Sequence, residues 1–335
     1  MASNRERTAA RYAEYAIPDP DFDRYRDMEN PFANPEGLSV PAMRDILSQM
    51  PVSLPYSEQS VASVGIHHQQ ITARDGAELE LRIYKDNGWQ EKGILFFVAH
   101  GWALGDHDVE EAMNRLVAKR ARSVVVSVNY RLAPEFPFPC AINDSFDALQ
   151  WCRRNADKLR IDANRVIVGG SSSGGNIAAA LALKDRDEGI NSILGQVLNF
   201  PDTCHPAYFP KDKYEYSSPN QNRDAPMLTT EVAHWFWDLY CPDGGADSNA
   251  SPLLATSHKG LPPALIQVAG LDPVRDDGLA YSDALKAAGV PVKTKVYPGL
   301  PHAFYLFPDL RETPTYFNTI VDWINFLDKD LAKIL

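Results

Sequence analysis

The stretch Val166-Ile167-Val168-Gly169-Gly170-Ser171-Ser172-Ser173-Gly174-Gly175-Asn176-Ile177-Ala178-Ala179-Ala180-Leu181 decides the fold. Its first three residues are β-branched and apolar, as in a strand covered on both faces. Asn176 to Leu181 reads as a helix. Gly170-Ser171-Ser172-Ser173-Gly174 between them is a G-x-S-x-G. A serine on a sharp turn from strand into helix is a nucleophile elbow. The turn strains its central residue, and the flanking glycines let strand and helix approach closely. The helix start points free N–H groups and partial positive charge at the serine oxygen. A phosphate-cradling loop is the competing reading, but the G-K-[ST] ending of a P-loop is missing.

Outward from this turn, strands alternate with helices. Val61–Ile71 and Leu79–Tyr84 show partial period-2 alternation. Ile94–Ala99, Val124–Val126 and Val166–Val168 are continuously apolar, and Ile193–Leu198, Ala264–Val268 and Val292–Val296 complete about eight strands. Helical patterns cover Val109–Ala121, Ile142–Leu159, Gly175–Lys184, Gly278–Ala288 and Tyr316–Ile334. The alternation predicts a mostly parallel sheet with helices on both faces. Residues 202–258 break it: they are rich in Pro and Tyr, hold no clear strand, and carry a predicted helix at Thr229–Tyr240. An insertion of that length is a candidate lid. Residues 1–60 contain an amphipathic helix at Ser39–Met50, with Met43, Ile46 and Leu47 on one face and Pro51 and Pro55 behind it. The expected division is 1–60 as the N-terminal part of a cap, 61–201 and 259–335 as the two parts of the α/β core, and 202–258 as the cap insertion.

A serine hydroxyl needs a base to take its proton. In a fold with this elbow the triad order is Ser, then an acid, then His. Of His205, His234, His258 and His302, only His302 follows a late strand on a Pro/Gly loop, Tyr297-Pro298-Gly299-Leu300-Pro301-His302. Loops at strand C-terminal ends are where such sheets place reactive groups. Asp272 ends the preceding strand in Ala269-Gly270-Leu271-Asp272-Pro273. It competes with a reading as a helix N-cap, while Asp276 and Asp277 fall in the first helical turn, where acids favour the dipole. Oxyanion donors are expected from the backbone at Ser173 and from the loop Ala99-His100-Gly101-Trp102-Ala103-Leu104-Gly105-Asp106.

Composition agrees with this class. The 335 residues carry a net charge of −11 from 33 basic and 44 acidic side chains. That balance argues against nucleic acid and anionic membranes as partners. There is no 18-residue apolar run for a membrane span and no apolar h-region for a secretory signal, so a cytoplasmic location is expected. Cys140, Cys152, Cys204 and Cys241 form no CxxC pair and read as reduced core thiols.

Four stretches together resemble the hormone-sensitive-lipase-like family of α/β-hydrolases, which includes bacterial, fungal and plant carboxylesterases. Asn129-Tyr130-Arg131-Leu132-Ala133-Pro134-Glu135 is similar to N-Y-R-L-A-P-E, and Gly170 to Asn176 to G-D-S-A-G-G-N. Gly270 to Asp276 is similar to G-x-D-P-L-R-D, and Pro298 to Phe304 to P-G-x-x-H-x-F. The resemblance covers roughly residues 60–335. It implies an α/β-hydrolase fold with an eight-stranded sheet, a cap, and ester hydrolysis without a cofactor, through Ser172, Asp272 and His302. Two positions depart from it. Ser171 stands where an acid is usual. The family's H-G-G-G, ahead of an aromatic-x-L-G-D segment matched by Trp102 to Asp106, has two alignments here. Either His100-Gly101 takes the H-G and two glycines are lost, or Val98-Ala99-His100-Gly101 takes the motif without a gap. The second keeps the loop length that positions donors and is preferred. It makes His100 and Gly101 the loop donors, with an imidazole that could narrow the acyl pocket.

Three functions follow from these residues. The first is a carboxylesterase for small or medium hydrophobic esters, with Trp102, Trp235 and Phe236 as candidate substrate contacts and at least one of Trp235, Phe236 and Trp237 turned to the core. The second is a non-hydrolytic lyase, cyclase or dehydratase with His302 as general base. The third is a non-catalytic binder like the plant gibberellin receptors, which resemble the family but lack the triad histidine; His302 argues against it. A small-molecule ester is the expected partner. A homodimer is compatible with the sequence, which specifies no oligomeric state.

Overall fold

The computed structural model describes residues 12–25, 39–49, 56–89 and 91–330. One eight-stranded sheet runs in the order β1-β2-β4-β3-β5-β6-β7-β8. The strands are β1 (Val64–Thr72), β2 (Glu78–Asp86), β3 (Gly93–Ala99), β4 (Val124–Asn129), β5 (Ile161–Ser171), β6 (Ile193–Asn199), β7 (Ala264–Leu271) and β8 (Val292–Pro301). Only β2 opposes its neighbours, pairing antiparallel with β1 and β4; every other pairing is parallel. This is the α/β-hydrolase fold the motifs imply.

Burial explains why the central strands read as unbroken apolar runs. All seven residues of β3 are buried. Leu95, Phe97 and Ala99 pack on one face, under α3 (Cys140–Arg154), α5 (Ser173–Asp187) and α8 (Arg275–Ala287). Ile94, Phe96 and Val98 pack on the other, under α2 (Glu111–Arg120) and α9 (Glu312–Asp330). A strand with both faces covered has no polar side to show. Near the edge, β2 buries Leu79, Leu81 and Ile83 in alternation.

The expected helix over 142–159 is divided. It breaks at Asn155 into α3 and a single turn, α4 (Ala156–Leu159). The Asn155 side chain donates to the Trp151 carbonyl at 2.9 Å, a local bond that competes with the helical ladder. The helix after the elbow starts at Ser173, two residues before the predicted start. Residues 50–55 and 331–335, which include Pro51, Pro55 and the predicted helix end at Ile334, lie outside the described residues. Among the described residues no helix is long and apolar enough to cross a membrane, and the four cysteines are free.

Two segments outside the sheet frame its C-terminal rim. Between β6 and β7 the chain makes no strand; it forms α6 (Ser218–Gln221) and α7 (Thr230–Tyr240), the latter capped by the Thr229 hydroxyl, which accepts from Val232 N at 3.2 Å. Ahead of the sheet, α1 (Val40–Gln49) buries Met43 and docks through Arg44. Arg44 donates to the carbonyls of Ala103 and Ala133 at 2.8 Å each and pairs with Glu135.

Candidate active site

Strand ends gather the reactive groups. Ser172, Asp272 and His302 are each the first residue after a strand, β5, β7 and β8 respectively. All three strands are parallel, so the three residues share one rim.

At the elbow Ser172 has φ +57° and ψ −121°, a conformation costly for a residue with a Cβ. The surroundings impose it. Ser172 N donates to Asn199 O of β6 at 2.7 Å, and Asn176 N donates to Ser172 O at 3.1 Å. A Cβ on Gly170 would lie 2.5 Å from the Ala99 carbonyl oxygen, and one on Gly174 only 2.1 Å from the same atom. The serine therefore stands at the N-terminus of α5, whose first N–H groups have no partner within the helix. Its hydroxyl donates to Asp202 Oδ2 at 3.2 Å.

Asp272 uses both side-chain oxygens. Oδ1 accepts the Val274 N–H at 2.9 Å in the turn ahead of α8, and Oδ2 pairs with His302 Nδ1 at 2.8 Å. The second bond sets the ring orientation and leaves Nε2 for chemistry. Burial pulls the His302 pKa down, but the charge and hydrogen bond of Asp272, with the charge of Asp202, outweigh it and leave the imidazole above its ordinary value. Asp276 and Asp277 are engaged elsewhere. Asp276 pairs with buried Arg275 at 2.9 Å, and Asp277 accepts the Thr203 and Cys204 N–H groups.

Ser172, Ser173 and His302 line one cavity of about 180 Å³. Gly101 and Trp102 form part of its wall, as do Leu228, Val232 and Phe236. One predicted contact falls elsewhere. Trp235 packs at a tilt against Phe236 (ring centroids 5.2 Å apart) and is not in the lining. Successive side chains on a helix diverge by about 100°, so the face of Val232, Ala233 and Phe236 excludes it. Trp237 is core, packed edge-on against Trp102 at 4.3 Å. The His100 imidazole does not narrow the cavity as its size suggested. It turns away and stacks on Tyr130, with ring centroids 4.4 Å apart and 9° between planes. Burial lowers its pKa to about 4, so the ring is neutral. The Tyr130 hydroxyl donates to the carbonyls of His100 and Gly101.

Sequence reading passed over two carboxyl groups. Asp202 lines the cavity beside Ser172 and is 5% exposed. Burial raises its pKa to about 7, opposed by the charge of His302 and helped by that of Asp272. Its signal was its place, three residues beyond the end of β6, on the same rim as the triad. Glu110 lies beneath the elbow beside the hydroxyls of Ser171 and Tyr305, with a pKa raised by burial to about 7. It brings a carboxyl from another element to Ser171, where the resemblance expects an acid. Glu110 also lines a second cavity of about 350 Å³, between α1 and α2, which meets the first at Leu306.

Comparison with known proteins agrees with this fold. Residues 94–306 match the α/β-hydrolase fold family. The chain is 38% identical over 221 residues to carboxylesterase NlhH of Mycobacterium tuberculosis, covering 64% of this chain and 66% of that protein. It is 31% identical to versiconal hemiacetal acetate esterase of Dothistroma septosporum, over 86% of this chain and 88% of that one. Vibralactone cyclase superposes with a TM-score of 0.86 at 27% identity, over 96% of this chain and 97% of that one. The chain belongs to the hormone-sensitive-lipase-like carboxylesterase family of the α/β-hydrolase fold, and it is a carboxylic ester hydrolase.

Proposed function

We propose that Ser172, His302 and Asp272 hydrolyse small or medium hydrophobic esters through an acyl-enzyme. Ser172 turns from Asp202 to His302 Nε2 and attacks the ester carbonyl, giving its proton to the imidazole. The backbone N–H groups of His100, Gly101 and Ser173 hold the oxyanion. The imidazolium, steadied by Asp272, protonates the leaving alcohol; water, activated by the same ring, then releases the acid and restores the serine. The described parts of residues 1–60, together with residues 202–258, cap the site, with Trp102 and Phe236 against the substrate. Trp235 drops out of that set.

The observation that carries this reading is the 2.8 Å bond between His302 and Asp272 beside a serine on a left-handed turn, all on one rim. Ser172→Ala tests it with a short-chain aryl ester. The expected loss in kcat is about 10⁴-fold or more, and a rate within tenfold of wild type would overturn the assignment.

A second reading draws on the likeness to vibralactone cyclase. There the chain would run a non-hydrolytic reaction, with His302 as general base. A folded protein that takes no label from a fluorophosphonate probe would favour it over the acyl-enzyme.

A further inference from the structure

Asp202 is a buried carboxyl that ester hydrolysis does not require. Its backbone is fixed. The Asp202 carbonyl accepts from Asn176 Nδ2 at 2.7 Å, and the next two N–H groups bind Asp277 at 3.2 and 3.1 Å. The side chain is thus aimed into the cavity by its anchored loop rather than left free to wander. There it accepts one hydrogen bond, from Ser172 at 3.2 Å. A carboxylate offers about four acceptor sites. The neighbouring wall is apolar: Trp102, Met227, Leu228, Val232 and Phe236. When Ser172 turns to His302 and attacks, Asp202 loses that donor as well. An acceptor stranded in an apolar wall is unfavourable, and that cost falls in the step where binding matters most.

We propose that Asp202 is a specificity-determining residue that takes over a hydrogen bond from the substrate, so that the preferred esters carry a hydroxyl on the acyl carbon next to the carbonyl or on the second carbon of the alcohol. This rests on Ser172 being the nucleophile. The reach follows from the geometry: Asp202 Oδ2 is 3.2 Å from the resting Ser172 Oγ, a turn between staggered rotamers keeps that oxygen on the same Cβ, and the ester carbon approaches it at about 3 Å. A hydroxyl on the acyl carbon next to the carbonyl, or on the second carbon of the alcohol, falls within its span.

The groups around Asp202 suit it to a hydroxyl. Asp272 and His302 face it from the ends of β7 and β8, and Asp277 from α8. His234 of α7 lines a small neighbouring cavity with it. Burial raises its pKa well above the ordinary carboxyl range, which makes the protonated form more accessible than in a solvated aspartate. A hydroxyl both donates and accepts, so it pairs with either form.

Two ester pairs test the idea, each exchanging a hydroxyl for a methyl. Ethyl lactate against ethyl isobutyrate probes the acyl side, and 2-hydroxyethyl butyrate against propyl butyrate the alcohol side. Hydrolysis is followed by pH-stat for wild type, Asp202→Asn and Asp202→Ala, with thermal unfolding as the check on folding. Intrinsic reactivity cancels when the kcat/KM ratio of a pair is compared between enzymes. The expected result is a hydroxyl-to-methyl ratio at least about tenfold higher in wild type than in Asp202→Ala for one pair, with Asp202→Asn between them. Should Asp202→Ala not fold, Asp202→Asn carries the test with a fall of about threefold or more. Equal ratios in both pairs would overturn the role of Asp202. If Ser172→Ala still turned over these esters, the nucleophile assignment would fail, and Asp202 selectivity with it.

Discussion

Two turns meet at the reaction centre, and they treat glycine in opposite ways. The elbow after β5 keeps Gly170 and Gly174. The loop after β3, paired with it through Ala99 and Gly170, has Ala99 and His100 where the resemblance places glycines. The difference lies opposite each missing Cβ. At Gly170 and Gly174 that space belongs to the Ala99 carbonyl, a backbone atom that cannot step aside. At position 100 the side chain has a place in the core against Tyr130. Gly101, the one glycine left at the H-G-G-G positions, would set a Cβ 2.7 Å from the Leu104 carbonyl oxygen. Nearness to chemistry does not require glycine; an immovable neighbour does.

The harshest test of that rule is Gly174→Ala. Its Cβ would need β3 and α5 to part, since Ala99 O lies at 2.1 Å and Ala99 C at 2.7 Å. A destabilisation of about 3 kcal/mol or more is expected, with ester turnover down over about a hundredfold. An unchanged melting temperature with normal turnover would break the comparison. His100→Ala should act less and differently. It empties the stack on Tyr130 without touching the cavity wall, so stability falls by about 2–4 kcal/mol while kcat/KM of the folded fraction stays within about tenfold. A hundredfold loss of activity at intact stability would mean that the imidazole reaches the substrate.

The same contrast explains what could be read from the chain. The strands were legible because central burial leaves unbroken apolar runs, as in Ile94–Val98. The elbow was legible because its glycines and strained serine are local in sequence. Asp272 looked ambiguous between cap and triad because it ends a strand just ahead of a helix: one oxygen accepts from Val274 N in that turn and the other meets His302. What escaped depends on residues distant in sequence. The fate of His100 is decided by a ring thirty positions away. Asp202 looked like the first residue of a Pro-rich insertion, and its place beside Ser172 exists only once β5 and β6 are paired. The break at Asn155 is a local bond, yet composition around it is helical on both sides.

The smallest effect sharpens the comparison most. Tyr130→Phe keeps the ring against His100 and removes only the hydroxyl that donates to the carbonyls of His100 and Gly101. The His100 carbonyl belongs to the same planar peptide as the Gly101 N–H, and a trans peptide sets those two groups on opposite sides. Holding that carbonyl toward Tyr130 therefore holds the Gly101 N–H away from it, and Gly101 lines the cavity. On this account the hydroxyl does for the loop what Gly170 and Gly174 do for the elbow: it fixes a backbone orientation. Losing it leaves two carbonyls without that donor and costs about 1–2 kcal/mol of stability. A donor matters more to the oxyanion than to the bound ester, so kcat should fall by up to about tenfold with KM nearly constant. Equal falls in binding and turnover, or none in either, would show that the loop holds its shape without Tyr130.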